Sequence, residues 1–367
     1  MVATVTERIL GSRTLAALTS PHGVDRYLEV VNPMWAATEV RARVIDVHRE
    51  NPRSDGPEVA TLTLQPTRTW RGHRAGQYVQ VGVDLPGSAR RLTRCFSISS
   101  AESGPGEQLT LTVRAHDEGQ VSKFLVRDAR PGQVLHLSQA EGDFTLPVSP
   151  ATPGPHRLLM ISGGSGITPV MAQLRTLLRD GYDGRAGRPV TFVHFARSAE
   201  DQIFADELAA IDAADNDVDV RIFHGDAHFS GELLERLLPS YSRTDTWACG
   251  PAGMVELVRK AFGEQNPRLR VEFFKPPAVA SGSAEGAVTF SRAGTSVPNT
   301  GASILEQAEG AGLAPEFGCR MGICFSCTSR KTDGTVRNVL TGEESSQPDE
   351  DIRICVSSPV GDCSVEL

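Results

Sequence analysis

Four cysteines constrain this chain more than any other feature. Cys319, Cys324 and Cys327 are spaced C-x4-C-x2-C, and Cys355 stands 28 positions further on, in a segment that reads as a strand. This is the spacing of plant-type [2Fe–2S] proteins, whose two sulfide-bridged irons take two thiolates each. A loop that wraps a cluster must turn its backbone N–H groups toward the sulfurs, and Gly318, Gly322 and the small Ser326 permit that tight path. Zinc is the competing reading, but a structural zinc site more often shows two C-x2-C-like pairs. Four unligated thiols in this arrangement would be an oxidation liability. The cysteine count, seven, is odd, which speaks against a disulfide framework. Cys363 reads as a packed core thiol, because four ligands suffice.

Upstream of the cysteines the texture changes twice. Short alternating runs at 40–47, 59–64, 77–83, 93–98, 108–113 and 133–137 are separated by Gly and Pro turns, which predicts an antiparallel β-barrel. A helix is expected over 120–127. From His156 onward the strands lose their alternation. Apolar runs at 157–162, 189–195, 218–223, 244–248 and 268–274 alternate with helical stretches at 168–179, 201–213, 232–238 and 251–262. That order predicts an α/β domain with a parallel sheet covered on both faces. The expected organisation is a polar N-terminal extension (1–38, with an amphipathic helix at 8–17), an antiparallel barrel (39–152), an α/β domain (153–275), a Pro/Gly/Ser-rich linker (276–286) and a compact α+β module (287–367).

A net charge of −8 argues against a nucleic-acid binder. Residues 287–367 hold 11 acidic and 6 basic side chains, so much of the negative charge sits at the cysteine-bearing end, where it gives solubility or steers docking onto a basic partner. No apolar run reaches the 18 residues of a membrane span. The N-terminus lacks a basic stretch followed by an apolar one, so the expected compartment is the cytoplasm.

Two further constellations carry chemistry. Arg94, Cys95, Phe96 and Ser97 close one barrel strand, and Val113 and Arg114 close another, followed by Gly119, Val121 and Ser122 at a helix start. An arginine for pyrophosphate, an aromatic against the dinucleotide, a serine toward the reactive edge of the ring and N–H donors at a helix start are what a flavin nucleotide needs. In the next domain Gly163, Gly164, Gly166, Ile167 and Thr168 join the first parallel strand to its helix, with Pro169 in the first turn. The third glycine of the G-x-G-x-x-G fingerprint is missing, so support comes from Cys249, Gly250, Pro251 and Met254 at the end of a later strand. That is the carboxyl edge where open α/β sheets bind ligands. There the Cys249 thiol would pack beside a nicotinamide or be a buried structural cysteine. Arg197 and Ser198 suit a 2′-phosphate and hence NADPH, with NADH the alternative, while Asp201 reads as a helix N-cap.

In this order the motifs resemble the ferredoxin–NADP reductase superfamily, and within it the oxygenase-reductase type with a C-terminal ferredoxin domain. The resemblance covers 39–367. It implies a β-grasp fold for the last module, FAD as the flavin (FMN in some relatives), and roles at the hydride-transfer centre for Ser97, Cys249 and Phe274. Phe96 stands where the family has Tyr. Glu272, Phe273 and Phe274 match the family's Glu-x-aromatic segment, with Phe274 shielding the flavin until nicotinamide displaces it. The lead at 18–35 is similar to that of reductases serving membrane fatty-acyl desaturases and alkane hydroxylases. The expectation is therefore an NADPH-dependent reductase that feeds single electrons through FAD and a [2Fe–2S] cluster to such a partner, with peripheral docking at its membrane. A Rieske-type oxygenase or a P450 is the alternative acceptor. A redox sensor or carrier without hydride transfer, or a zinc module on an inactive reductase, are the readings from other classes.

Overall fold

The computed structural model describes residues 23–85, 91–117, 119–146, 157–179, 189–263, 265–274, 284–318, 320, 322 and 325–367. The expected helix at 8–17, most of the linker, and Cys319 and Cys324 lie outside these residues. The chain forms two compact units, Met1–Gly250 with Leu257–Glu272, and Pro251–Glu256 with Phe273–Leu367.

The first unit begins with a short helix, α1 (Val24–Val31), and a six-stranded antiparallel sheet of β1 (Val40–Arg49), β2 (Val59–Pro66), β3 (Tyr78–Val83), β4 (Leu92–Ser97), β5 (Leu109–Arg114) and β6 (Val134–Leu137). The strand order is β4-β3-β6-β1-β2-β5. A bridge between Ile98 and Leu111 brings the ends of β4 and β5 together, so the barrel is nearly closed. Alternation along β2 buries Ala60, Leu62 and Leu64 inside it, the period-2 pattern expected of a half-buried strand. The expected helix over 120–127 is α2 (Gln120–Lys123) running into a wider π-turn at Phe124–Asp128. The adjacent Leu125 and Val126 both enter the barrel core there, which a wide turn accommodates.

The lead to the barrel is fastened by two buried charges. The Asp25 carboxylate accepts from the backbone N–H groups of Ala37, Thr38 and Glu39 and from the Thr38 hydroxyl. Arg41, fully buried on β1, donates to the carbonyls of Pro33, Trp35 and Asp25 and to the Glu39 carboxylate at 2.8 Å. A buried guanidinium is tolerated only when its donors are satisfied, and here the chain is folded around it to do so.

A parallel sheet completes the unit: β7 (Leu158–Gly163), β8 (Val190–Ala196), β9 (Val218–His224), β10 (Asp245–Cys249) and β11 (Leu269–Glu272), in the order β11-β10-β7-β8-β9. Every residue of β7 is buried, as its unbroken apolar run predicts for a central parallel strand. Helices α3 (Ile167–Arg179), α4 (Ala205–Ala213), α5 (Gly231–Leu237) and α6 (Ala252–Phe262) alternate with the strands. The start of α4 corrects the N-cap expectation for Asp201. The helix begins four residues later, after Phe204 at φ 58°, because the Asp201 carboxylate is engaged by Arg197 and by the Ser54 hydroxyl.

Barrel and parallel sheet are joined by polar contacts to backbone. Arg175 of α3 donates to the Ser99 carbonyl, and its guanidinium also pairs with Glu207. Gln173 donates to Phe144 O at 2.6 Å, and Glu102 N to the Thr176 hydroxyl at 2.9 Å.

The second unit holds β12 (Ala287–Phe290), β13 (Thr295–Pro298), β14 (Thr328–Asn338), β15 (Glu344–Ser345), β16 (Glu350–Arg353) and β17 (Ser357–Val365), ordered β13-β12-β17-β14-β15 with β16 on β14. Helix α7 (Ile304–Gly310) starts with a capping box between Ser303 and Glu306 and buries Ile304, Leu305 and Ala308. Cys363 lies within this core, where burial pushes its thiol up to about 11. Cys355 is not on a strand, contrary to expectation. It occupies the turn between β16 and β17, which frees its side chain from strand alternation.

Candidate functional site

The carboxyl edge of the parallel sheet gathers most of the nucleotide residues. Gly163 ends β7, Gly164 adopts φ 52°, and Gly166 passes so close to β10 that a Cβ on it would stand 2.4 Å from the Cys249 carbonyl oxygen. Glycine at 166 therefore lets the turn lie against the strand end, and Ile167 and Thr168 then open α3, the Thr168 hydroxyl donating to Ser165 O at 3.0 Å. Gly250 follows Cys249 at the end of β10. Pro251, Met254 and Phe274 belong to the second unit and stand outside the constellation that the first unit forms by itself.

Arg114 reaches this turn from the barrel. A Cβ built on Gly164 would lie 3.4 Å from its Nη1, and its Nε is buried with no hydrogen-bond partner. Burial, then repulsion from Arg197, lowers its pKa from the usual arginine value. A half-buried arginine with an orphaned donor beside a second arginine and a glycine turn is a place where an anion removes a penalty. The arrangement fits a phosphate group. Sequence reasoning placed Arg114 with the flavin; the fold carries it to the nucleotide turn. Arg197 is 60% exposed at its side chain and lies 2.8 Å from Asp201, so any 2′-phosphate there meets an arginine already paired. Ser198 accepts from the N–H of Asp201 at 3.2 Å.

One row of side chains crosses the sheet edge. Register pairs Cys249 with Glu272 on β11 and with Ser162 on β7, and pairs Ser162 with His194 on β8. Residues so paired in a parallel sheet share a face. Glu272 has a buried Oε2 with no partner, and burial pushes its pKa up to about 8. Burial and then Glu272 raise the Cys249 thiol well above its ordinary value. His194, fully buried and 2.8 Å from the Ser162 hydroxyl, is held down to about 3 by burial. At neutral pH the row is uncharged. Residue type in sequence singles out Cys249 but not Glu272 as a site residue; the signal for Glu272 is an acidic residue closing an edge strand, legible only once β10 and β11 are paired.

On the barrel, Ser97 is 7% exposed at the end of β4 and Phe96 packs against the core. Arg94 donates to Thr93 O at 2.7 Å, and Cys95 pairs in register with Gln80. Val113 and Val121 are core residues. At the start of α2, Ser122 accepts from His116 N and donates to Gly119 O, and a Cβ on Gly119 would fall 2.3 Å from the Ser122 hydroxyl. Ser122 thus shapes this turn through its own hydrogen bonds.

In the second unit Cys327 and Cys355, both buried, converge with their sulfurs 3.1 Å apart, too far for a disulfide bond. Their loop holds three described residues at positive φ, Arg320 (58°), Gly322 (74°) and Phe325 (58°), and a Cβ on Gly322 would strike Val356 at 2.7 Å. A soft pair of thiols under a loop coiled this tightly fits an iron–sulfur group. With Cys319 and Cys324 it would complete a four-thiolate set.

Fold and site together define a modular oxidoreductase with a flavin barrel, a pyridine-nucleotide domain and an iron–sulfur module. Family models bear this out: an oxidoreductase FAD-binding domain matches residues 51–146, an oxidoreductase NAD-binding domain 160–260, and a 2Fe-2S iron-sulfur cluster binding domain 288–360. An "NADPH oxidoreductase" of Mycobacterium tuberculosis is 36% identical over 359 residues, 96% of this chain and 90% of the relative. The "NADH oxidoreductase HCR" of Escherichia coli is 31% identical, covering 83% of this chain and 92% of its own. In structure, phthalate dioxygenase reductase superposes with a TM-score of 0.58 at 22% identity, over 89% of this chain and 97% of that one. The chain belongs to the ferredoxin–NADP reductase superfamily, with its 2Fe-2S ferredoxin domain C-terminal to the flavin and nucleotide domains. It is an NAD(P)H-dependent oxidoreductase that uses FAD and a [2Fe–2S] cluster.

Proposed function

We propose that the chain is the reductase of an oxygen-activating system, drawing on NADPH and serving a membrane fatty-acyl desaturase or alkane hydroxylase. The observation that carries the reductase reading is the Glu272–Cys249–Ser162–His194 row beside a glycine turn faced by the orphaned Arg114. When bound, FAD takes a hydride from the nicotinamide coenzyme and the [2Fe–2S] cluster passes the electrons on singly. The protein supplies position and polarity. Gly163, Gly164, Gly166 and Arg114 hold the coenzyme's phosphates, with Ile167 and Thr168 at the helix start and Gly250 at the end of β10. Arg197 and Ser198 read the 2′-position. Cys249 and protonated Glu272 give a neutral floor for the nicotinamide. Arg94, Cys95, Phe96, Val113, Gly119, Val121 and Ser122 form the flavin site, with Ser97 at its ring. Cys319, Cys324, Cys327 and Cys355 hold the cluster.

Support for NADPH is Arg197 and the name of the Mycobacterium tuberculosis relative; support for the desaturase-type partner is the lead at 18–35. A Rieske-type oxygenase is the second reading, favoured by the "Glycine betaine monooxygenase reductase subunit" of Chromohalobacter salexigens, 27% identical over 80% of this chain. Among the described residues no helix is long and apolar enough to cross a membrane, so docking to a membrane partner would be peripheral. Anaerobic NADPH should bleach the flavin and then the cluster absorbance. Cys324→Ser should keep ferricyanide reduction and abolish cytochrome c reduction. Equal loss of both activities would overturn the cluster as exit, and an unbleached flavin would favour a sensor. Turnover with reconstituted desaturase and Rieske components separates the two partners.

A further inference from the structure

The loop between the second and third cluster cysteines presents Phe325 to solvent. Phe325 is 64% exposed; among the described residues of the second unit, only it and Val360 are large hydrophobics left in the open. Its backbone sits at φ 58°, a conformation that costs a residue with a Cβ and that glycine would adopt freely. The position is not a loose end. Thr328 donates to the Phe325 carbonyl through both its N–H, at 3.0 Å, and its hydroxyl, at 2.7 Å. The Arg353 guanidinium lies over the ring, 5.0 Å from its centroid, while Nη1 of Arg353 donates to the Gly322 carbonyl of the same loop. Arg353 is also the last residue of β16, two positions before Cys355. An exposed aromatic, held in a strained backbone by Thr328 and Arg353, on the segment that joins two cluster ligands, is poorly explained by folding. Most of its surface stays in water, and glycine there would relieve the backbone.

We propose that Phe325, clamped by Arg353, is the docking residue for the protein electron acceptor, entering an apolar hollow on a basic redox protein. This rests on the reading of the cysteine loop as the electron exit. A basic partner follows from the excess of acidic residues in 287–367, with Asp349 and Asp351 exposed on the β16 segment that leads to Arg353. Aromatic anchors surrounded by charge are the common form of an interface hot spot, the charge steering encounter and the ring supplying affinity. Electron balance is unaffected: the pair delivered by one NADPH leaves in two dockings, each reducing one acceptor by one electron.

The test uses the full-length holoprotein and cytochrome c, a basic haem protein, as probe. Phe325→Gly removes the ring and suits the backbone; Phe325→Leu keeps apolar bulk. The Gly variant is expected to keep wild-type iron content, cluster absorbance and EPR signal, and melting temperature. Its Kd for oxidised cytochrome c at low salt, read by calorimetry, should rise roughly thirtyfold, the range of a truncated hot-spot aromatic. KM for cytochrome c should rise in parallel while kcat at saturation stays within about twofold, and the Leu variant should fall between. Unchanged Kd and KM in both variants would overturn the proposal, as would loss of iron or of the EPR signal in Phe325→Gly, which would make the ring a structural support of the cluster. If wild-type protein cannot reduce its cluster with NADPH, the reductase reading itself falls, a result distinct from unaltered docking.

Discussion

Glu272 offers the sharpest check on the sheet-edge site. Its carboxyl sits on the face shared with Cys249, Oε2 has no partner, and burial raises its pKa to about 8 from an ordinary 4.5. At 1.36 kcal/mol per pKa unit, ionising it in place costs roughly 5 kcal/mol more than in water. About nine in ten molecules carry the neutral acid at pH 7, and about one in ten at pH 9. The neutral form can donate a hydrogen bond beside the nicotinamide; the anion cannot, and it repels the coenzyme's phosphates. Stopped-flow reduction of the flavin by NADPH should therefore be flat from pH 6 to 7 and fall about tenfold by pH 9. Glu272→Gln keeps the shape and loses the proton, so its profile should be flat throughout. The same linkage bears on stability. The folded state binds this proton more tightly than the unfolded chain, so its contribution is complete below about pH 4.5 and lost as pH rises through about 8. Glu272→Gln should accordingly gain on the wild type in urea as pH increases from 5 to 8. An inflection near pH 8 that survives in Glu272→Gln, or a wild-type profile without one, would refute the reasoning.

Two other perturbations follow from the same unit. Asp201 pairs with Arg197 at 2.8 Å, so Asp201→Asn should release the arginine and raise the kcat/KM preference for NADPH over NADH by about tenfold, whereas Arg197→Ala should lower it; steady-state kinetics with both coenzymes measure the change. Asp25→Ala removes the acceptor for three backbone N–H groups and the Thr38 hydroxyl and should cost about 2–4 kcal/mol, read as a lower denaturant midpoint for the barrel. Burial pulls the Asp25 carboxyl upward, but the Thr38 hydroxyl and the Ala37, Glu39 and Thr38 N–H groups outweigh it and leave it below the usual aspartate value. Its stabilisation is thus present above the ordinary carboxylate range and lost as pH falls below it.

What could be read from the chain alone was whatever repeats or is spaced along it. The alternation of 59–64 and the unbroken apolar run of 157–162 announced a barrel strand and a central parallel strand, because burial on one face or two writes itself into the residue order. The cysteine spacing did the same for the iron–sulfur module. What stayed hidden depends on residues distant in sequence meeting in space. Asp201 reads as an N-cap because four-residue windows cannot see Ser54, 147 positions earlier, competing for its carboxylate. Arg114 follows a flavin-type strand, and only the apposition of barrel and sheet shows its guanidinium at the Gly164 turn. Arg41 looks like one more polar residue on an alternating strand, although the lead folds around its guanidinium. For Asp201 and Arg41 a charged side chain took the partners that satisfied it over those its neighbours in sequence suggested. The cost of an unsatisfied buried charge exceeds that of a missing cap or an unpaired surface arginine. Polar residues were therefore the least legible part of this chain, and two of the atoms left orphaned, Arg114 Nε and Glu272 Oε2, belong to side chains at the Gly164 turn and at the strand end paired with Cys249.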